Sequence, residues 1–231
     1  MNQKKLFEQI KKKRSFLCVG LDVDLKKIPS HLLSEPDPIF SFCKEIIDST
    51  NKYAIAYKPN IAFFESNGLN GWKSLEKVSD YLSFQYPNIF SIADAKRGDI
   101  GNTATQYAKA FFENLSFDSI TVNPYMGQDS VEPFLNFNNK HTILLTLTSN
   151  HGSEDFQFFG LPNKPLFEKV IEVSKSWNNS DRLMYVVGAN QIDYLKKIRS
   201  LLPDSFFLIP GVGAQGGDLN KVILNGINDK C

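Results

Sequence analysis

Seven short apolar runs recur along the chain, each followed by a longer stretch of mixed polarity, and this alternation limits the fold more than any other feature. The runs begin at Phe16, Ala54, Ile89, Ser119, Thr142, Leu183 and Phe206. They are nearly continuous in apolar character rather than alternating, as expected of parallel strands covered on both faces. The stretches between them carry helical periodicity, at 37–51, 69–86, 101–114, 165–178 and 190–202, with Leu75, Val78, Tyr81 and Leu82 spaced along one helix face. Repeated strand–helix units predict an α/β fold with a parallel sheet, either a closed (β/α)8 barrel or an open doubly wound sheet. Neither a long linker nor a low-complexity segment interrupts the pattern. The 231 residues therefore read as a single domain, 1–231.

Polar residues with chemical potential collect behind the runs. Asp22 and Asp24 follow the first, Lys58 and Asn60 the second, and Asp94 and Lys96 end the third. Asn123 follows the fourth, Ser149 and Asn150 the fifth, and Gly211 to Gly217 the seventh. Barrel enzymes build their sites at the C-terminal ends of strands, so this placement favours a site. The densest segment is 94–103, Asp-Ala-Lys-Arg-Gly-Asp-Ile-Gly-Asn-Thr. Side chains two apart in a strand share a face, so Asp94 and Lys96 are expected to point the same way, each perturbing the other's protonation. A salt-bridged strand end is the competing reading. Lys58, isolated between Tyr57 and Pro59, reads equally as a solvent-facing cap or a ligand contact.

Residues 210–218 read Pro-Gly-Val-Gly-Ala-Gln-Gly-Gly-Asp. Gly211, Gly213 and Gly216 match G-x-G-x-x-G, but too little chain follows for a dinucleotide-binding fold, which places this motif in its first strand–helix unit. A phosphate loop of a barrel fits better. Glycines would let backbone N–H groups approach an anion, the following helix N-terminus would add positive potential, and Gln215 could donate its amide.

The formal net charge of +1 leaves no footprint for nucleic acid. The basic run Lys11-Lys12-Lys13-Arg14 reads as the solvated end of an N-terminal helix. Cys18, Cys43 and Cys231 make no disulfide framework, and the polar N-terminus leads into no apolar signal core, so a cytoplasmic setting is expected. Apolar runs long enough to span a membrane are missing from the sequence. His31, His141 and His151 lack metal-ligand spacing with Cys or acidic partners, so no metal is expected.

Six segments together resemble the orotidine 5'-phosphate decarboxylase family, in the subgroup with longer insertions between strands. They are Gly-Leu-Asp at 20–22, Lys-Pro-Asn-Ile-Ala-Phe-Phe-Glu at 58–65, Asp-Ala-Lys-Arg-Gly-Asp-Ile-Gly at 94–101, Thr-Val-Asn-Pro-Tyr-Met-Gly at 121–127, Val-Gly-Ala-Asn at 187–190 and Pro-Gly-Val-Gly-Ala-Gln-Gly-Gly-Asp at 210–218. The resemblance implies a (β/α)8 TIM barrel that converts orotidine 5'-phosphate to UMP and carbon dioxide, without a cofactor, in pyrimidine biosynthesis. It implies a charge network of Lys58, Asp94, Lys96 and Asp99, with Lys96 protonating C6 and Asp94 beside the departing carboxylate. It also implies a homodimer in which Asp99 and Thr103 reach into the partner's site. Asp22 and Lys58 would contact ribose hydroxyls, Ser149 would read the pyrimidine with Asn60 a weaker match, and Pro210, Gly211, Gly213 and Gln215 would form the phosphate loop. The family's eighth strand, ending in a phosphate-clamping arginine, has no counterpart before Cys231, so the barrel is expected to be incomplete at its C-terminus. Two alternatives stand beside this one: a metal-dependent sugar-phosphate decarboxylase of the same superfamily, and an inactive truncated fragment.

The chemistry of the reaction agrees with the residue types. Loss of carbon dioxide from C6 leaves a carbanion with no π-system to accept the charge, so preorganised electrostatics must stabilise it. A lysine held between aspartates supplies both a cation and a proton.

Overall fold

A computed structural model describes residues 1–161, 164–213 and 216–229. Gln215, expected in the phosphate loop, lies outside the described residues. The chain divides into two compact units, one of residues 1–95 with 106–121, the other of residues 96–105 with 122–231.

The first unit opens with α1 (Gln3–Lys13), capped by the Asn2 side chain, which accepts from Lys5 N at 2.9 Å. Of the basic run that ends α1, Lys13 is not simply solvated. Its ammonium donates to the carbonyls of Asn51 and Ala54 at 2.6 and 2.7 Å. It thereby satisfies a carbonyl at the end of α2 (Pro38–Thr50) and ties α1 to the start of β2 (Ala54–Pro59). β1 (Leu17–Leu21) pairs parallel with β2, and β2 with β3 (Phe90–Arg97); β4 (Ser119–Val122) is the next neighbour. The Tyr57 hydroxyl donates to Ile47 O of α2 at 2.9 Å, so the odd-numbered residues of β2 face the helices. Ala54, Ala56 and Lys58 therefore share the opposite face. A short α3 (Ile61–Glu65) packs against α4 (Gly68–Gln85) where Gly71 meets Phe64; a Cβ at Gly71 would lie 1.8 Å from Phe64 O. Ile47, Tyr57, Phe64, Leu75, Val78, Phe111 and Phe117 form the buried core.

The second unit contains β5 (His141–Leu147), β8 (Leu183–Val187) and β9 (Phe207–Leu208), paired parallel in the order β5-β8-β9, while β6 (Gly160–Leu161) and β7 (Lys164–Pro165) form a small antiparallel hairpin. Its helices are α6 (Gln128–Leu135), α7 (Ser153–Phe156), α8 (Leu166–Ser174), α9 (Ile192–Leu201) and α10 (Leu219–Gly226). Arg199 of α9 fastens the C-terminal part of this unit. Its guanidinium donates to the carbonyls of Gly226, Leu202 and Ser205 at 2.7 to 2.9 Å, and it stacks 3.7 Å from the Phe207 ring centroid. Among the described residues no strand follows α10. α5 (Gly101–Lys109) begins in this unit and continues into the first, where a π-helical turn follows at Ala110–Asn114.

Candidate active site

The first unit gathers four of the expected residues at the C-terminal ends of its strands. The register of β2 against β3 continues as a bridge between Asn60 and Asp94, so Lys58, two residues before Asn60, sits beside Asp94. Lys58 Nζ lies 2.9 Å from Asp94 Oδ2, with both side chains largely enclosed. The other carboxylate oxygen, Oδ1, accepts from Thr121 Oγ1 of β4 at 3.0 Å. Asn60 Nδ2 donates to Asp22 Oδ2 at 3.3 Å, joining the ends of β1 and β2. Gly20, opposite Lys58 in the β1–β2 register, contributes no side chain there.

Electrostatics favour the charged form of Lys58. Burial disfavours the Lys58 ammonium, but attraction and hydrogen bonding to Asp94, with Asp22 further off, more than compensate, and the Lys58 pKa lies above the ordinary lysine value. Cys18 of β1 is near enough to feel the same pair. Burial, opposed by Lys58 and reinforced by Asp94, pushes its thiol up to about 12, so it stays protonated and inert at neutral pH. Thr121 was not among the site residues expected from the sequence. The available signal was a hydroxyl in the otherwise apolar triplet Ile120-Thr121-Val122.

The second unit carries the remaining residues. Lys96, still within β3, has φ +48°. That left-handed conformation takes it out of the strand's pleat, so alternation alone does not set its direction. Asp94 is buried and Lys96 exposed. Non-glycine residues held in this region cluster at functional sites. Asp99 is half-buried and accepts from Ile100 N at 2.8 Å, in the turn before α5. Thr103 is exposed on the first turn of α5. Ile100, next to Asp99 in the chain, is exposed, and exposed Met126 stands against Gly98.

Ser149 follows β5, where its carbonyl accepts from Asn190 Nδ2 at 2.8 Å, and Thr148 O accepts from Gln191 Nε2 at 3.1 Å. Gly188 allows this approach, since a Cβ there would lie 2.8 Å from Ser149 N and Cα. Pro210 O accepts from Ala189 N at 2.9 Å. The loop then closes on itself: Gly217 N donates to Gly211 O at 2.9 Å and Gly216 N to Gly213 O at 2.8 Å, with Gly211, Gly213 and Gly216 all at positive φ. The helix that follows does not offer its N-terminus to an anion as expected. The Asp218 carboxylate already occupies it, accepting from Asn220 N and Lys221 N at 2.9 and 3.2 Å.

Comparison with known proteins agrees with the geometry. Residues 15–230 match the model of the orotidine 5'-phosphate decarboxylase / HUMPS family. The chain is 63% identical over 227 residues to the orotidine 5'-phosphate decarboxylase of Christiangramia forsetii, covering 98% of this chain and 84% of that protein. It is 60% identical over 230 residues to the enzyme of that name from Flavobacterium johnsoniae, covering 100% of this chain and 84% of the relative. The structure of Leishmania donovani OMP decarboxylase matches with a TM-score of 0.85 and 36% identity, covering 99% of this chain and 85% of the other. That of Plasmodium berghei orotidine 5'-monophosphate decarboxylase matches at 0.86 and 29%, covering 99% and 87%. The fold is thus the α/β TIM-barrel type of these enzymes, and the chain belongs to the orotidine 5'-phosphate decarboxylase / HUMPS family.

Proposed function

We propose that this chain decarboxylates orotidine 5'-phosphate to UMP and carbon dioxide, as its relatives' names indicate, without metal or cofactor. The observation that carries the reading is the Asp94 carboxylate, enclosed and gripped at Oδ2 by Lys58 and at Oδ1 by Thr121, two residues ahead of an exposed lysine in a strained backbone conformation. The C6–carboxylate bond breaks with its electron pair left on C6. Lys96 delivers a proton to that carbon, and solvent restores the lysine. Asp94 stands beside the departing carboxylate, and its fixed negative charge favours loss of the substrate's own. Lys58 and Asp22 hold the ribose, with Asn60 orienting Asp22, and Ser149 reads the pyrimidine. The phosphate rests on the loop from Pro210 to Gly217, where binding energy remote from C6 positions the ring.

The active form is a homodimer in the cytoplasm. Asp99 and Thr103 complete the partner's site, a role supported by exposed Ile100 beside Asp99 and exposed Met126 against Gly98. Residues 1–231 act as one barrel domain, supported by a family match that runs through both compact units. The chain falls in the insertion-bearing subgroup, and the loop that begins at Pro210 contributes phosphate contacts. Within the family, a metal-dependent sugar-phosphate decarboxylase would want acidic ligands near the second strand, where Lys58 stands. Among the described residues no His, Cys, Asp and Glu side chains group so as to hold a metal ion.

The test is a substrate panel with and without a chelator. Orotidine 5'-phosphate should be consumed at the same rate in both, and keto-sugar phosphates left untouched. Consumption of a sugar phosphate that stops on chelation and resumes with magnesium would move the chain to the other branch.

A further inference from the structure

We infer that Thr121 is a positioning residue for the reaction, holding Asp94 in the orientation and charge state that decarboxylation needs. The inference rests on the proposed role of Asp94. Thr121 is 1% exposed, in the middle of β4, and its hydroxyl donates to Asp94 Oδ1 at 3.0 Å. A buried hydroxyl is costly unless hydrogen-bonded. The other hydroxyl of the strand, Ser119, spends its hydrogen bond on the Ser91 carbonyl at 3.2 Å. Thr121 donates its own to Asp94, the carboxylate paired with Lys58.

The division of labour is what gives the contact meaning. The terminal torsion of an aspartate is soft. Lys58 holds Oδ2 from the side of β2. With Thr121 on Oδ1, the two oxygens are held from two strands, β2 on one side and β4 on the other. The plane is then fixed before substrate arrives, and a donor to the charged form keeps the carboxylate ionised. Both effects act on Asp94 and neither touches substrate, so removing the hydroxyl should slow the chemical step more than it weakens binding.

The experiment compares parent, Thr121→Val and Thr121→Ser. Valine keeps the shape and drops the donor; serine keeps the donor and drops the methyl. Thr121→Val should lower kcat for orotidine 5'-phosphate by about ten- to a hundredfold, the scale of a hydrogen bond to a charged group. KM should stay within about threefold, UMP affinity should be unchanged, and Thr121→Ser should recover most of the rate. The acidic limb of the kcat–pH profile should move to higher pH in Thr121→Val only, because Asp94 loses a donor to its ionised form. The titratable groups that bear on this limb are Lys58 of β2, which also feels Asp22 at the end of β1, and Cys18 of β1. Equal rates in Thr121→Val and parent, or equal losses in valine and serine variants, would overturn the inference. A second readout stands apart from the substrate assignment: the titration of the Asp94 carboxyl followed by carbon NMR in aspartate-labelled protein. If the parent fails to consume orotidine 5'-phosphate, the functional reading fails. An upward shift of Asp94 in Thr121→Val but not in Thr121→Ser would still support the positioning role, and identical titrations would refute it.

Discussion

Lys58 Nζ and Asp94 Oδ2 are 2.9 Å apart, on adjacent parallel strands and largely out of water. The pair is a stability device as well as a chemical one, because removing one partner leaves the other charge buried and uncompensated, at a cost of about 3–5 kcal/mol. The Lys58 pKa is raised in the folded protein above its ordinary 10.5. A group whose folded pKa is raised contributes stability that is fully present below the unfolded value and lost as pH rises through the folded one. The stability gap between the parent and Lys58→Met should therefore stay constant from pH 6 to 9 and narrow only above about pH 10.5. Denaturant melts across that range check this. A gap that closes near neutrality would mean that the pair is not ionised as described.

Lys96 is exposed, and its φ is +48°. Lys96→Ala should keep the fold and lose activity by about 10²–10⁴-fold, the usual scale for a general acid or base. Glycine carries no penalty in the left-handed region, so Lys96→Gly should be equally inactive yet more stable than Lys96→Ala by about 1 kcal/mol. Paired activity assays and thermal melts decide both points. An alanine variant with more than about a tenth of parental activity would remove Lys96 from the chemistry.

Much of this fold and site is legible in the amino-acid sequence, and Lys96 marks where that legibility ends. The strands at Ser119–Val122 and Leu183–Val187 coincide with the apolar runs, because parallel strands buried on both faces leave an uninterrupted signal. The clustering of Asp22, Lys58, Asn60 and Asp94 behind successive strands was equally legible, and the structure joins them in two contacts. The left-handed backbone at Lys96 was not. Alternation along a strand assumes extended backbone at every residue, and nothing about a lysine announces a left-handed turn of the chain. Thr121 escaped for another reason: a threonine is at home in any strand, so its hydroxyl carries a message only once its partner is known. Lys13 was read as a solvated helix end, because the carbonyls that it caps come from residues far along the chain.

If Asp99 serves the partner's site, two dead chains should rescue each other. Asp99→Ala mixed with Lys96→Ala forms mixed dimers in which one site carries both lesions and the other neither. Activity should return on subunit exchange, towards a quarter of the parental level per site at equal mixing. No recovery, with exchange confirmed by differently tagged chains, would place Asp99 in its own chain's site.

The loop from Pro210 to Gly217 tests the phosphate assignment. A Cβ on Gly217 would lie 2.6 Å from Gly211 O and 2.5 Å from Ala189 Cβ, so Gly217→Ala must displace backbone. Displacements of about 1 Å can cost 10²-fold in rate. KM for orotidine 5'-phosphate and Kd for UMP should rise together, while the affinity for the phosphate-free nucleoside stays where it was. Parental UMP affinity in Gly217→Ala would separate this loop from phosphate binding.

The most direct test of the whole account is product stoichiometry from purified, chelator-treated protein given orotidine 5'-phosphate. The account predicts one carbon dioxide and one UMP for each substrate consumed, at a rate that added magnesium does not change and that falls by about 10²–10⁴-fold in Lys96→Ala. Substrate left intact by the folded parent, conversion that requires a divalent metal, or more than about a tenth of the parental rate in Lys96→Ala would contradict it.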